Sequence, residues 1–176
     1  MYGLNVPVPN AVRRLARDLE PALAPFDYVR DRHSLLCKRF EGERDPGRIH
    51  ERVADTLAGT EPFAVRVDGI GAFHDPPKGS TPVVYLAVES PGLRAVHERL
   101  VAQFDAVPGL EGEGYTPHVT LARGLSDDGP LGVGRGSDPV GRLRSESFDP
   151  VTWTVEELGI WSREYDEFVS RVSLPP

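Results

Sequence analysis

The sequence predicts a bilobal α+β protein: two related strand, helix, strand units by a pseudo-twofold, antiparallel sheets lining a central cleft, and helices packed outside. Three observations predict it. Strand-like and helix-like segments alternate along the chain, no linker divides residues 1–176, and the two halves carry matching segments. Leu4 to Pro9 and Leu86 to Pro91 both lead into an apolar-periodic stretch. His33-Ser-Leu-Leu36-Cys-Lys38 and His118-Val-Thr-Leu121-Ala-Arg123 both have a Leu three residues after the His, then a small residue and a cation. The offset is 82 at the prolines and 85 at the histidines, so the register drifts by three.

Each element has a local cause. Tyr2 to Val8 alternates as a first strand, and Asn10 caps a helix with Val12, Leu15, Leu19, Ala22 and Leu23 on one face, ended by Pro25. Tyr28 to Phe40 supplies a strand through the first motif. Asp45 caps a second helix, with Pro46 at its tolerated first position, Ile49, Val53 and Leu57 spaced for burial, and Gly59 as its stop. Phe63 to Phe73 alternates as a strand, Asp75 to Gly79 is a loop, and Val83 to Val88 is a buried strand. Ser90 and Pro91 start a third helix with Leu93, Val96, Leu100 and Phe104 inward, and Pro117 to Arg123 carries the second motif on a strand. Leu125 to Gly141, rich in Gly, Asp and Pro, reads as a mobile loop closing with a short helix from Pro139. Val151 to Ile160 and Glu167 to Leu174 form a final hairpin turning near Glu164 to Asp166. A single domain and a monomer are expected.

Composition narrows the function. With 39% apolar and 27% charged residues the chain is an ordinary globular one, and no apolar run approaches the ~20 residues needed to cross a bilayer. The N-terminus lacks a cationic region followed by an apolar stretch, so the cytoplasm is the default location. A lone Cys37 excludes an internal disulfide and reads as a small buried hydrophobe. A net charge of −7 argues against a broad grip on nucleic acid. Positive charge is local: Arg30, Arg32, Lys38 and Arg39 flank the first motif, and Arg123 ends the second.

The chemistry follows from strand alternation. His118, Thr120 and Ala122 share one face of a regular strand and Val119 and Leu121 the other, which looks like core. The imidazole and the hydroxyl then lie about 7 Å apart, a spacing that suits a phosphate: Thr120 bonds one oxygen while His118 moves a proton. A second His from the other lobe supplies the second proton-transfer group that phosphodiester hydrolysis needs, with no metal and no cofactor.

These motifs resemble those of the 2H phosphoesterase superfamily, the group of RNA 2′,3′-cyclic phosphodiesterases historically called 2′-5′ RNA ligases, whose members carry two H-x-T/S motifs in a bilobal α+β fold. Pro117 to Arg123 matches the second motif closely, and the order of elements, terminal hairpin included, fits over nearly the whole chain. The resemblance implies His33 and His118 as the catalytic pair, Thr120 as phosphate ligand, and metal-independent opening of a 2′,3′-cyclic phosphate on RNA or a nucleotide. The first motif departs from the pattern, with Leu35 where Thr or Ser is expected and a hydroxyl at Ser34 instead. Either a bulge turns Ser34 into the cleft or one phosphate contact is lost; the matching Leu36 and Leu121, with Lys38 and Arg123, favour the unbulged register. Two other activities stay open: a non-catalytic binder of nucleotides or RNA ends, and the reverse reaction that joins RNA ends.

Ser34, Lys38, Arg39, Tyr115 and Arg123 are the candidate substrate-binding residues. Strict alternation places Lys38 and Arg123 opposite the histidines and Arg39 on the His33 face, while Tyr115 could stack on a base or simply pack. His50 and His97 lack a second His four residues on and read as solvated helix faces, His74 has no partner at metal-ligand spacing, and Gly132 to Gly136 lacks the ending of a phosphate loop.

Overall fold

A computed structural model of the chain describes residues 1–125 and 138–175. Its elements are β1 (Tyr2–Val6), α1 (Asn10–Asp18), α2 (Glu20–Leu23), β2 (Phe26–Val29), β3 (Leu35–Phe40), α3 (Pro46–Leu57), β4 (Phe63–Phe73), β5 (Val83–Glu89), α4 (Pro91–Phe104), β6 (His118–Leu125), α5 (Pro139–Arg144), β7 (Val151–Val155), β8 (Glu157–Ser162) and β9 (Glu167–Ser173). The nine strands form one antiparallel sheet in the order β7-β4-β5-β6-β3-β1-β8-β9, with β2 also paired to β6. This is the predicted α+β, two-lobed class. The seam between lobes is narrow: β3 meets β6 at the single pair Leu35 and Val119.

Caps start the helices where the sequence indicates. Asp45 accepts hydrogen bonds from the backbone N–H groups of Gly47 and Arg48, and Ser90 Oγ accepts from Leu93, so orphan donors of each first turn are satisfied. Val12, Ile49, Val53, Leu93, Val96 and Leu100 enter one core with Leu4, Leu86, Val119 and Leu158 of the sheet. None of the described helices is long and apolar enough to cross a membrane. The short helix from Pro139 forms as expected, whereas the preceding loop, including Gly132 to Gly136, lies outside the described residues.

Two predicted strands are divided. The segment from Tyr28 to Phe40 breaks at residues 30–34, where Arg30, Asp31 and Arg32 put three charges in a row that no core face would accept. The Arg30 N–H still donates to the Leu121 carbonyl at 2.7 Å, after which the chain leaves β6 and re-enters the sheet at Leu35. The segment from Val151 to Ile160 changes lobes at Glu156: β7 pairs with β4, and β8 pairs with β1 and β9. Only β8 and β9 form the terminal hairpin.

Four side chains read from sequence as exposed or functional are structural. Lys38 is 1% exposed, and its Nζ donates to Glu111 Oε2 at 2.7 Å and to the Arg39 carbonyl at 2.6 Å, so it binds no substrate. Glu111 also accepts from the backbone N–H groups of Arg39 and Val107. Tyr115 is buried, stacks on His97 with centroids 3.7 Å apart, and donates its hydroxyl to the Leu36 carbonyl; it has no free face for a base. His97 is buried too: Nδ1 lies 2.7 Å from the Cys37 carbonyl and must donate to it, while Nε2 accepts from the Gly112 N–H. His50, half-buried, bonds Ser170 Oγ at 2.6 Å across the α3 and β9 contact. Helical spacing could not reveal these partners, which come from distant segments. Cys37 is buried as expected, and that burial pushes its thiol pKa up.

Glu111→Ala leaves Lys38 as an unpaired buried cation, and the expected loss is about 3 to 5 kcal/mol in a urea titration at pH 7.5. Burial lowers the pKa of His97 below 6.5, so the unfolded chain binds a proton that the folded chain refuses. Stability is therefore full above pH 6.5 and falls below it, by up to about 1.4 kcal/mol per pH unit from this group. In His97→Gln the slope between pH 7 and 5.5 should shrink; an unchanged slope would show that His97 is not its source.

Candidate functional site

The open face of the sheet is set by strand register. Residues opposite each other in an antiparallel pair point the same way, so the pairs Ala87 with His118, Tyr85 with Thr120 and Val83 with Arg123 put those three β6 side chains on one face. Regular alternation predicts otherwise for Arg123. Leu121 is an extra residue in β6, and this bulge turns Arg123 onto the His118 face, where Tyr28 of β2 also lies. A matching irregularity occurs in lobe one. There β1 pairs Leu4 with Lys38 and Asn5 with Leu36, so Cys37 is the bulged residue, and Gly3 with Arg39 keeps Arg39 on the face of Asn5 and Leu36.

These registers identify the counterparts of the second motif. The offset of 82 that relates Leu4 to Leu86 and Val6 to Val88 also relates Asn5 to Ala87 and Gly3 to Tyr85. Asn5 pairs with Leu36 and Ala87 with His118; Gly3 pairs with Arg39 and Tyr85 with Thr120. Leu36 therefore occupies the lobe-one place of His118, and Arg39 that of Thr120. The seam pair of Leu35 and Val119 sets Leu36 and His118 at neighbouring positions across it. The offset of 85 between the histidines is thus a mispairing of unlike positions. Carrying 82 through the sequence would have found Leu36.

His118 is held in a defined state. Its Nδ1 lies 2.7 Å from the Thr116 carbonyl, which can only accept, so the proton sits on Nδ1 and Nε2 keeps its lone pair. The rings of Phe73 and Tyr85 each stand 5.1 Å from the imidazole, and Gly71 makes room, since a Cβ there would meet the Tyr85 ring at 2.5 Å. Burial lowers the His118 pKa; the Thr116 bond opposes this, and the charges of Arg39 and Arg123 add to the lowering. Arg39 is half-buried, with Nη1 3.9 Å from Glu111. Arg123 donates to the Lys78 carbonyl, yet its Nε is buried without a partner, and the nearby charge of Arg30 adds to burial in lowering its pKa. Two guanidiniums close enough to affect one imidazole make this end of the cleft suited to an anion.

The first motif stands apart. His33 and Ser34 lie in the break before β3, His33 half-buried and Ser34 exposed. Both line a cleft of about 840 Å³ that also takes in Arg30, Trp161 and Phe168, and His118 is not among its walls. Burial lowers the His33 pKa, with Glu20 opposing. Neither a bulge at Ser34 nor an unbulged strand describes the segment, because the bulge falls at Cys37 and the strand starts after Ser34. Among the described residues, no three His, Cys, Asp or Glu side chains gather as metal ligands.

Comparison with known proteins agrees with this architecture. A family model described as the 2′-5′ RNA ligase superfamily matches residues 36–167, about three quarters of the chain, and begins after His33. A protein of Methanothermobacter thermautotrophicus named RNA 2′,3′-cyclic phosphodiesterase is 32% identical over 116 residues, 64% of this chain. The match spans 62% of that relative's length. Among solved structures, TT0787 of Thermus thermophilus has a TM-score of 0.58 at 23% identity, covering 98% of this chain and 97% of its own. E. coli LigT complexed with 3′-AMP has a TM-score of 0.61 at 18% identity, covering 99% of this chain and 98% of its own; these two show the shared fold. With the family model matched across both lobes, the chain belongs to the 2′-5′ RNA ligase superfamily.

Proposed function

We infer that this protein opens 2′,3′-cyclic phosphate ends of RNA or small nucleotides to a phosphomonoester, without a metal ion. The observation that carries the reading is His118, whose Nε2 keeps its lone pair on the open face beside Thr120, within reach of the Arg39 and Arg123 charges. The name of the archaeal relative supports it. In this reading Thr120 donates to one phosphate oxygen and the two guanidiniums offset charge that builds up there. His118 Nε2 takes a proton from water as the water oxygen bonds to phosphorus, and the bond from phosphorus to one ribose oxygen breaks. The entering and leaving oxygens lie roughly in line on opposite sides of phosphorus, so a different group must protonate the departing oxygen. His33 is the proposed acid, with the two roles exchanged in the reverse direction, and Ser34 a further phosphate contact. Ligation of RNA ends would use the same groups backward.

A second reading is favoured by Leu36. With an aliphatic side chain in the place corresponding to His118, the site is one-sided, and a binder of nucleotides or RNA ends would need only Arg39, Arg123 and Thr120.

A 2′,3′-cyclic-ended oligonucleotide incubated with enzyme in EDTA should give a monoester by phosphorus NMR, and His118→Ala should slow this about 10² to 10⁴-fold. Because burial lowers both histidines below 6.5, the bell of kcat/KM should peak on the acid side of neutrality, its acid limb from the base His118 and its alkaline limb from His33. A rate that keeps climbing above pH 7 would sink the pairing of these two rings. In the one-sided second reading, Leu36→His gives lobe one a strand-borne imidazole, and at least a tenfold gain in turnover is expected; with His33 already serving as the acid, no such gain is expected. Cyclic-nucleotide binding by calorimetry with no product from either protein would favour the binder.

A further inference from the structure

We propose that the 840 Å³ cleft of lobe one is a groove for single-stranded RNA, holding the nucleotides on the 5′ side of an end whose phosphate lies at His118, so that oligonucleotides rather than mononucleotides are the substrates. The proposal rests on the phosphodiesterase reading for where the end sits, but the groove stands on its own residues.

The groove adjoins the phosphate end through the sheet. Arg39, Gly3 and Trp161 are successive partners on β3, β1 and β8, and Leu36, Asn5, Gly159 and Arg171 form a parallel row. At about 4.8 Å per strand, Trp161 lies roughly 10 Å from Arg39 along one continuous face. Gly3 and Gly159 keep the floor low: a Cβ at Gly159 would meet the Phe168 ring at 2.4 Å, and one at Gly3 would meet Leu36 Cδ1 at 2.9 Å. In lobe two Phe73, Tyr85 and the His118 ring pack together on the corresponding face, whereas among the described residues the lobe-one face is left open.

Its walls combine the two things an unpaired strand needs. Three guanidiniums lie over aromatic rings: Arg30 is 5.5 Å from the Tyr28 centroid, Arg32 5.8 Å from Trp161 and Arg171 5.1 Å from Phe168. Such pairs offer flat surfaces on which a base can stack, next to positive charge for its phosphate. Arg32 and Arg171 are already ion-paired, to Asp166 and Glu157. Arg13 and Arg17, projecting from α1 into the cleft, and Arg30 have no ion-pair partner among the described residues, and Arg30 Nε is buried with no hydrogen bond at all. On a chain of net charge −7, five guanidiniums around one cavity against Glu20, Asp31 and Asp166 are a local reversal of sign. Tyr28 is 51% exposed, a cost in water that a stacked base would remove.

The test is fluorescence anisotropy with a 5′-labelled single-stranded RNA octamer ending in a plain 3′-hydroxyl. The unlabelled octamer should compete at least tenfold better than adenosine 3′-monophosphate. The double change Arg13→Glu with Arg17→Glu, on an exposed helix face, should weaken octamer binding at least tenfold and flatten its dependence on salt by about 1.4 in log–log slope. Trp161→Ala should weaken it about 5 to 100-fold, the range for one lost base stack. Melting temperatures establish that the variants fold. An octamer that competes no better than the mononucleotide, or that binds folded variants as tightly as the parent, overturns the groove. A protein that grips the octamer but leaves cyclic ends closed supports the groove and sinks the phosphodiesterase reading; one that opens cyclic mononucleotides without gripping the octamer does the reverse.

Discussion

The site depends on the buried ion pair of Lys38 and Glu111. Cys37 interrupts the pairing of β3 with β1, and the strand beyond such an interruption needs something to hold its new phase. Glu111 does this by taking Lys38 Nζ and the Arg39 N–H together, with the Val107 N–H completing its shell. A carboxylate with three donors in a dry interior tolerates few other arrangements, so Arg39 is left facing the open side. His97 and Tyr115 brace the same stretch by bonding the Cys37 and Leu36 carbonyls. Side chains from α4 and the loop after it thus aim one guanidinium at the cleft.

Much of the fold was legible because its causes are local. Asp45 with Pro46 and Ser90 with Pro91 announce helix starts through short-range bonds, and Phe63, Val65 and Val67 alternate with Ala64 and Arg66 in the first half of β4. The failures share a different origin. Nothing near Lys38 in sequence points to a carboxylate 73 residues away, nor does anything near His97 point to the Gly112 N–H. Bulges are equally hidden: Leu121 and Cys37 look like ordinary strand residues, yet each reverses the parity of the residues beyond it, so that Arg123 joins His118 although strict alternation places it behind the sheet. His118 and Thr120 were readable because they precede the bulge in β6. The match between His33 and His118 was a likeness of letters, and Leu36 emerges only when pairing partners are compared across the two lobes.

The duplication has been used unevenly. Lobe two keeps an imidazole, a hydroxyl and, by its bulge, an arginine on one strand, with aromatic rings closing the face around them. Lobe one offers Leu36 and Arg39 at the matching places and leaves its face open between β1, β8 and the break before β3. The sheets of the two halves therefore differ in kind: in lobe two the strand itself carries the imidazole and the hydroxyl, while in lobe one the strands offer contact area and charge and His33 stands in the break before β3.

The glycines beneath the rings restrict what descendants of this sequence can explore. At Gly71 and Gly159 an added methyl would collide with an aromatic ring at 2.5 Å or less, so neither alanine nor any larger residue is reachable in one mutational step without moving Tyr85 or Phe168. The ring must leave or move before the glycine can be filled. Each such couple therefore sets an order on change, in which loss of the ring opens the space that a side chain at the glycine would take.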